Sequence, residues 1–454
     1  TSTTSPTAPP GPVVAFGQDH EATIKSIYDK ELSSGHVYQN LRVLCKEIGN
    51  RLSGSPEAAA AVEYTRQLME SYEFDTVYLQ PVMVPHWIRG GKDIVRIVNS
   101  DKVGTLELNS LALGNAVGTG PGGAVGEVVE VKSLEEIEKW GKKLEGKIVF
   151  INAGMDPTVI NNFSAYGNAV VTRAYGASEA GKYGAKAVVI RSITNRQDDI
   201  PHTGSLRYKP LMPRIPAFAV SSNDAMLLSD LLKDQSDLKL YVESHGKQLE
   251  DVLSYNVIGE IKGSEVPDEI ISVGGHLDSW DVGEGAHDDG SGCMQAIEAL
   301  RLFKELSIKP KRTLRAVMWM NEENGLRGGQ EYARIAAEKG EKHIAALESD
   351  AGGFLPTGFG SSGTNEQQAQ IASYEKHFKP YGLWNLDQRG GGADIGPLRD
   401  LGTLLIGLRP DSQKYFIYHH TNADVFEAVD QRELELGAAS MAALVYLLDQ
   451  EGVK

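Results

Sequence analysis

Cysteine is nearly absent, with two residues in 454, Cys45 and Cys293. So few, in no recurring spacing, exclude a disulfide scaffold and a thiolate metal site, and leave two buried free thiols as the expectation. Long apolar runs are missing as well: none approaches the ~20 residues that cross a bilayer, so no membrane span is expected. Basic residues are in deficit, 45 Lys and Arg against 61 Asp and Glu, for a formal charge of -16. A surface of that sign repels phosphate backbones, which argues against nucleic acid as a partner. The length exceeds that of an ordinary single domain, so two domains are expected, one inserted in the other. Residues 1–15 begin with a Ser, Thr and Pro-rich stretch, Thr1 to Pro12, that has nothing to bury. It reads as a flexible tail left after an export signal is removed, which points to a secreted or periplasmic protein.

What is present organises into two textures. Val37 to Ile48 and Pro56 to Tyr72 read as helices, the second opening on Ser55-Pro56, an N-cap followed by proline in the first turn. A strand is expected over Thr76 to Val82. From about residue 92 the chain turns to short β-prone runs with many glycines, a small-residue helix at Ala177 to Tyr183, a buried strand at Ala187 to Ile190 and a helix at Asp224 to Lys233. Residues 92–247 are therefore taken as an inserted module, leaving 16–91 and 248–454 as one discontinuous domain. From Leu253 onward, apolar runs (Asn256 to Ile261, Ile270 to Gly274, Thr313 to Met320, Ile344 to Leu347, Leu404 to Leu408) alternate with amphipathic helices (Gly292 to Leu306, Gly329 to Lys339, Arg432 to Leu448). That alternation predicts an α/β fold with a mostly parallel central sheet flanked by helices, and chemistry in the loops beyond the strands' carboxyl ends.

Those loops carry metal-ligating residue types three times running: His276 and Asp278 after one strand, Glu322 and Glu323 after the next, and Asp350 after a third. Between the first two, Asp288-Asp289 lies between glycines at the entry to a helix, and His419-His420 comes near the end. Singly, each has an ordinary reading: a helix cap for Asp288-Asp289, a solvated pair for Glu322-Glu323, a loop pair for the histidines. Jointly they concentrate negative charge that cations would neutralise. Histidine and carboxylate donors without thiolate suit Zn²⁺, with Mn²⁺ or Co²⁺ as substitutes.

The string Gly275-His276-Leu277-Asp278-Ser279, the segment Gly285 to Gly292 around Asp288-Asp289, and then Glu322-Glu323, Asp350 and His420 resemble the M28 family of co-catalytic zinc exopeptidases. Pro85 to Trp87, His202 to Gly204, Ser279 to Gly283, Lys309 to Leu314 and Glu348 to Gly352 carry the resemblance into the N-terminal segment and the insertion. It implies two Zn²⁺, one held by His276 and Asp350, the other by Glu323 and His420, with Asp288 bridging. Asp278 would accept the other ring N–H of His276, and Glu322 would be the general base. Adjacent residues at a strand end point different ways, so Glu323 can face metal while Glu322 faces the water.

The implied activity is hydrolysis of dipeptides or short peptides by a water held between metals ~3.5–4 Å apart, as a carboxypeptidase-like dipeptidase; an aminopeptidase is the alternative. The insertion would be a β-rich protease-associated domain and the protein a homodimer. A cyclase would bind one metal, and a non-catalytic receptor or scaffold would have lost ligands or base, all of which are present here. Tyr415 and Tyr418 are candidate donors to the tetrahedral oxyanion. His287 and His419 match no ligand position of the family. Gly390 to Asp394 lacks the context of a phosphate loop, and Asn162-Phe163-Ser164 is a glycosylation sequon.

Overall fold

The computed structural model describes residues 20–454, so the expected tail lies outside the described residues. Its larger sheet has eight strands in the order Thr76–Val84, Val252–Ile261, Arg312–Trp319, Val266–His276, Lys342–Glu348, Leu404–Pro410, Pro356–Ser362, Asn385–Arg389. Four of its seven pairings are parallel and three antiparallel, so the sheet is mixed, with its parallel run in the middle. The alternating strand and helix pattern produces that run, because parallel neighbours need a crossover helix between them. One face is covered by helices His20–Ser34, Pro56–Ser71, Ser291–Glu305 and Gln431–Glu451. The other packs against Arg327–Lys339 through Tyr332, Ala333 and Ala336. Helix Gln431–Glu451 is apolar nearly all round from Leu434 to Leu448 and is correspondingly buried along that length.

For this sheet and the helices that cover it, the strand and helix expectations hold with shifts of a few residues at the ends. Both thiols are free and buried. Strands Pro356–Ser362 and Asn385–Arg389 were not foreseen; the first is glycine-rich and the second polar and partly exposed, so neither carries an apolar signature. Among the described residues, no helix is long and apolar enough to cross a membrane.

Residues between Ile94 and Glu243 build a second eight-stranded sheet with its own apolar clusters on both faces. It too is mixed, and it carries three helices, Leu134–Trp140, Asn162–Gly181 and Ser222–Asp234, so "β-rich" understates its helical content. The helix expected at Ala177 to Tyr183 is the end of the twenty-residue helix Asn162–Gly181, capped by the Asn161 side chain accepting from the Ser164 N–H. Phenylalanine, tyrosine, glycine and valine in its first half hide it from a propensity reading. The sequon is internal: Asn162 is 5% exposed, and its amide donates to the Ser412 and Gln413 carbonyls, so it offers no acceptor site for a glycan. Where this segment departs from and returns to the main chain path, Trp87–Ile88 pairs antiparallel with Lys247–Gln248. Beside that ladder Arg89 grips Asp281 through Nε and Nη2 at 2.8 and 2.7 Å and reaches Asp93 at 2.8 Å. The Ser279-Trp280-Asp281 string thus ties the second sheet to the loop that follows His276.

Candidate metal centre

Register brings the dispersed motifs to one level. His276 lies opposite Trp319 and Gly274 opposite Glu348 in parallel pairings, so the chain leaves all three strands at the same edge. His276 ends its strand, Glu322-Glu323 follow the second, and Asp350 follows the third. Helix Ser291–Glu305 starts against this edge, and two glycines permit the approach: a Cβ at Gly275 would sit 2.3 Å from the Asp289 carboxylate, and one at Gly292 1.8 Å from the Ser349 carbonyl. Asp289 uses its carboxylate to accept from the His276 and Gly292 N–H groups, which leaves Asp288 as the carboxylate that faces the cleft.

Asp288 sits between two groups. Its Oδ1 lies 3.2 Å from His276 Nε2, which is 3.7 Å from an Asp350 oxygen; its Oδ2 lies 3.3 Å from His420 Nε2, which is 3.1 Å from Glu323. All five residues expected to hold metal therefore converge. His419, which matched no ligand position of the family, is also close: its Nε2 is 3.8 Å from Asp288 Oδ2, and its ring stacks on His420 with centroids 3.5 Å apart. His287 turns away, stacked on Phe354.

The histidine rings are oriented by their partners. Nδ1–H of His276 donates to the Asp278 carbonyl at 2.9 Å, and Nδ1 of His420 lies 3.3 Å from the Thr203 carbonyl, so in both rings Nε2 is the nitrogen that faces the carboxylates. The Asp278 carboxylate has a different task from the one expected of it. It is 3.8 Å from His276 Nδ1 and instead accepts the backbone N–H groups of Asn321, Glu322 and Glu323 at 2.7, 2.9 and 3.2 Å. It holds the turn that presents Glu322 and Glu323.

Electrostatically the site is short of positive charge. Buried oxygens of Asp288, Glu323 and Asp350 have no hydrogen-bond partner. Burial, followed by the negative charge of Asp288, pushes the Glu323 carboxyl well up. Burial raises Glu322 to about 8, with Asp350, Asp278 and Asp288 adding to the rise and His276 opposing it. Burial by itself would lower His276, but its contacts with Asp288 and Asp350 raise it well above the ordinary histidine range. Orphaned carboxylate oxygens and inward-facing imidazole nitrogens form a donor set that divalent cations fit.

The site opens into a cleft of about 640 Å³ lined by Glu322, Tyr415 and residues of the inserted segment, among them Tyr166 and Arg173. Of the two candidate tyrosines, Tyr415 lines the cleft; Tyr418 packs near His287 and Phe354. The insertion also clamps the histidine loop. His202 Nδ1–H donates to the His419 carbonyl at 2.8 Å, and the Thr203 N–H to the His420 carbonyl at 3.0 Å. Sequence reasoning found the His202 to Gly204 string only as a resemblance; nothing local signals that it closes on a loop more than two hundred residues later.

Asp424 closes the string that holds His419 and His420, and nothing in the sequence assigns it a role. Fully buried, it accepts the His287 and Asp288 N–H groups at 2.7 and 3.1 Å and so fixes the backbone that aims Asp288. Asp424→Asn puts an amide where two acceptors are needed; the expected result, read by metal titration, is a fall of roughly 10- to 100-fold in metal affinity with the fold retained. Unchanged affinity would dismiss this positioning role.

A family model described as peptidase family M28 matches residues 256–445. Carboxypeptidase Q of Mus musculus is 34% identical over 411 residues, which cover 90% of this chain and 85% of that protein. The crystal structure of a peptidase M28 precursor from Shewanella amazonensis superposes with a TM-score of 0.91 at 33% identity, covering 96% of this chain and 98% of the other. A zinc aminopeptidase from Bacillus subtilis shares the fold at a TM-score of 0.67 and 20% identity, over 92% and 96% of the two chains.

Proposed function

The chain belongs to peptidase family M28, close to carboxypeptidase Q, and is a metallo-exopeptidase; from that premise we propose that it hydrolyses dipeptides or short peptides at a two-zinc centre, as a carboxypeptidase-like dipeptidase. The observation that carries the two-ion reading is Asp288, whose two oxygens face different partner sets: His276 and Asp350 on one side, His420 and Glu323 on the other. In this reading each pair would hold one ion, with Asp288 shared between them. Zinc bound there would supply the positive charge that acidifies a water and polarises the scissile carbonyl.

The chain's own groups do the rest. Glu322, on the cleft and without a side-chain role in the donor set, takes the proton of the attacking water and delivers it to the departing amine. Tyr415 supports the same reading as a donor toward the oxyanion, since its hydroxyl lies among the acidic groups, where burial and the charge of Asp288 keep it protonated. Asp278 positions Glu322 through the backbone. We also propose that residues 92–247 form a protease-associated-type domain inserted in the discontinuous catalytic domain (16–91 and 248–454), and that the protein is exported and homodimeric; these rest on the resemblance read from the sequence.

The test is release of amino acids from an unblocked dipeptide before and after chelation and zinc add-back. Expected is loss of nearly all activity on chelation and its return with zinc, close to two equivalents being taken up per chain. Full activity in the metal-free protein would overturn the reading, and hydrolysis that needs a free amine but not a free carboxylate would move it to an aminopeptidase.

A further inference from the structure

Arg173 stands on the cleft wall with its hydrogen bonding incomplete. It comes from helix Asn162–Gly181 of the inserted segment and is only 7% exposed. Its Nη2 donates to the Tyr166 hydroxyl at 2.7 Å, and its guanidinium carbon lies 5.5 Å from the centre of the same ring. Its Nε is buried with no acceptor. Its Nη1 approaches His420 Nδ1 at 3.4 Å, but the Thr203 carbonyl lies 3.3 Å from that same nitrogen, which cannot accept from Arg173 and donate to Thr203 at once. None of these partners is a carboxylate. A buried guanidinium without an anion is costly unless one arrives with the ligand.

Gly204 has φ +131°, and a Cβ there would stand 2.5 Å from the guanidinium carbon, so Arg173 can lie against the cleft wall only because residue 204 has no side chain. Asn115 lines the same cleft, and Arg207 adds a second cation at its exposed margin. Glu322 is on this cleft too.

We infer that Arg173 anchors the free α-carboxylate of the substrate's C-terminal residue. Guanidinium and carboxylate match as paired donors and acceptors. The amine that leaves on hydrolysis belongs to the residue bearing that carboxylate, so one cleft holds both the anchor and the group, Glu322, that returns the proton to the amine. This inference rests on the exopeptidase reading and deepens it: the enzyme grips the carboxyl end, and the inserted segment supplies the grip.

The experiment compares a dipeptide with its C-terminal amide on zinc-loaded protein. Wild type should favour the free acid in kcat/KM by about 10- to 100-fold, the worth of one charge-assisted pair. Arg173→Gln should raise KM for the acid by a similar factor while leaving kcat/KM for the amide within about threefold, with Arg173→Lys between them and zinc content unchanged. In parallel, calorimetry on the Glu322→Gln protein reads binding without turnover: the acid should bind more tightly than the amide, and adding Arg173→Gln should erase the difference. Equal handling of acid and amide by the wild type overturns the inference while leaving the peptidase reading intact, as does a Gln variant that slows both substrates alike. Binding preference without turnover by wild type removes the peptidase reading and keeps the anchor. Should the Arg173 variants fail to fold, Arg207→Gln is the second variant: an unchanged preference for the acid is expected, and its loss would move the anchor to Arg207 and overturn the inference.

Discussion

Glu322→Gln should lower kcat by roughly 10²- to 10⁴-fold, the usual worth of a positioned general base, while KM and zinc content stay near wild type. The expectation follows from the division of labour in the Asn321 to Glu323 turn. Three backbone N–H groups there donate to the Asp278 carboxylate, which fixes the turn whatever side chain residue 322 carries. Glu323 then faces His420, and Glu322 is left on the cleft. Glutamine preserves shape and removes only the capacity to take a proton. Turnover within tenfold of wild type, with zinc bound, would strip Glu322 of its role as base. Loss of zinc along with activity would instead make it part of the donor set.

Asp288→Asn should be more damaging, and differently so. Each oxygen of Asp288 faces its own group, Oδ1 toward His276 and Oδ2 toward His420. Asparagine turns one of those acceptors into an N–H₂ that points at a cation. Zinc content should fall from two equivalents to one or none, and turnover should fall at least about 10³-fold because the charge on which the chemistry depends is gone. Folding stability carries a second signature. Metal that binds only the native state adds about 2.7 kcal/mol at a free concentration 100-fold above its dissociation constant, so the rise in Tm produced by zinc in the wild type should largely vanish in the variant. A variant that keeps two zinc ions and normal turnover would remove Asp288 from its bridging position.

The sequence by itself determined the strand ends and what stands on them. His276, Glu322, Glu323 and Asp350 were legible because an apolar run followed at once by a ligand-type residue is a local signal, and parallel strands bring such residues to one edge. The Asp288-Asp289 pair was legible for a similar reason, lying between glycines at a helix start. Tertiary structure alone decided which atoms meet. Asp278 is two residues from His276 in sequence, yet its carboxylate serves the 321–323 turn while its carbonyl takes the ring N–H; backbone direction decides between those, and spacing does not encode it. Asp424 and Arg173 stand at the site without a motif that gives them a role, His202 was marked only by resemblance, and the last two come from a segment whose glycine and β-branched residues conceal even the helix that bears Arg173. A local pattern can announce a residue's chemistry. Which long-range partner completes it, such as the histidine loop closed by the inserted segment, depends on two sheets packing together, and that packing is decided by the shape of side chains far apart along the chain.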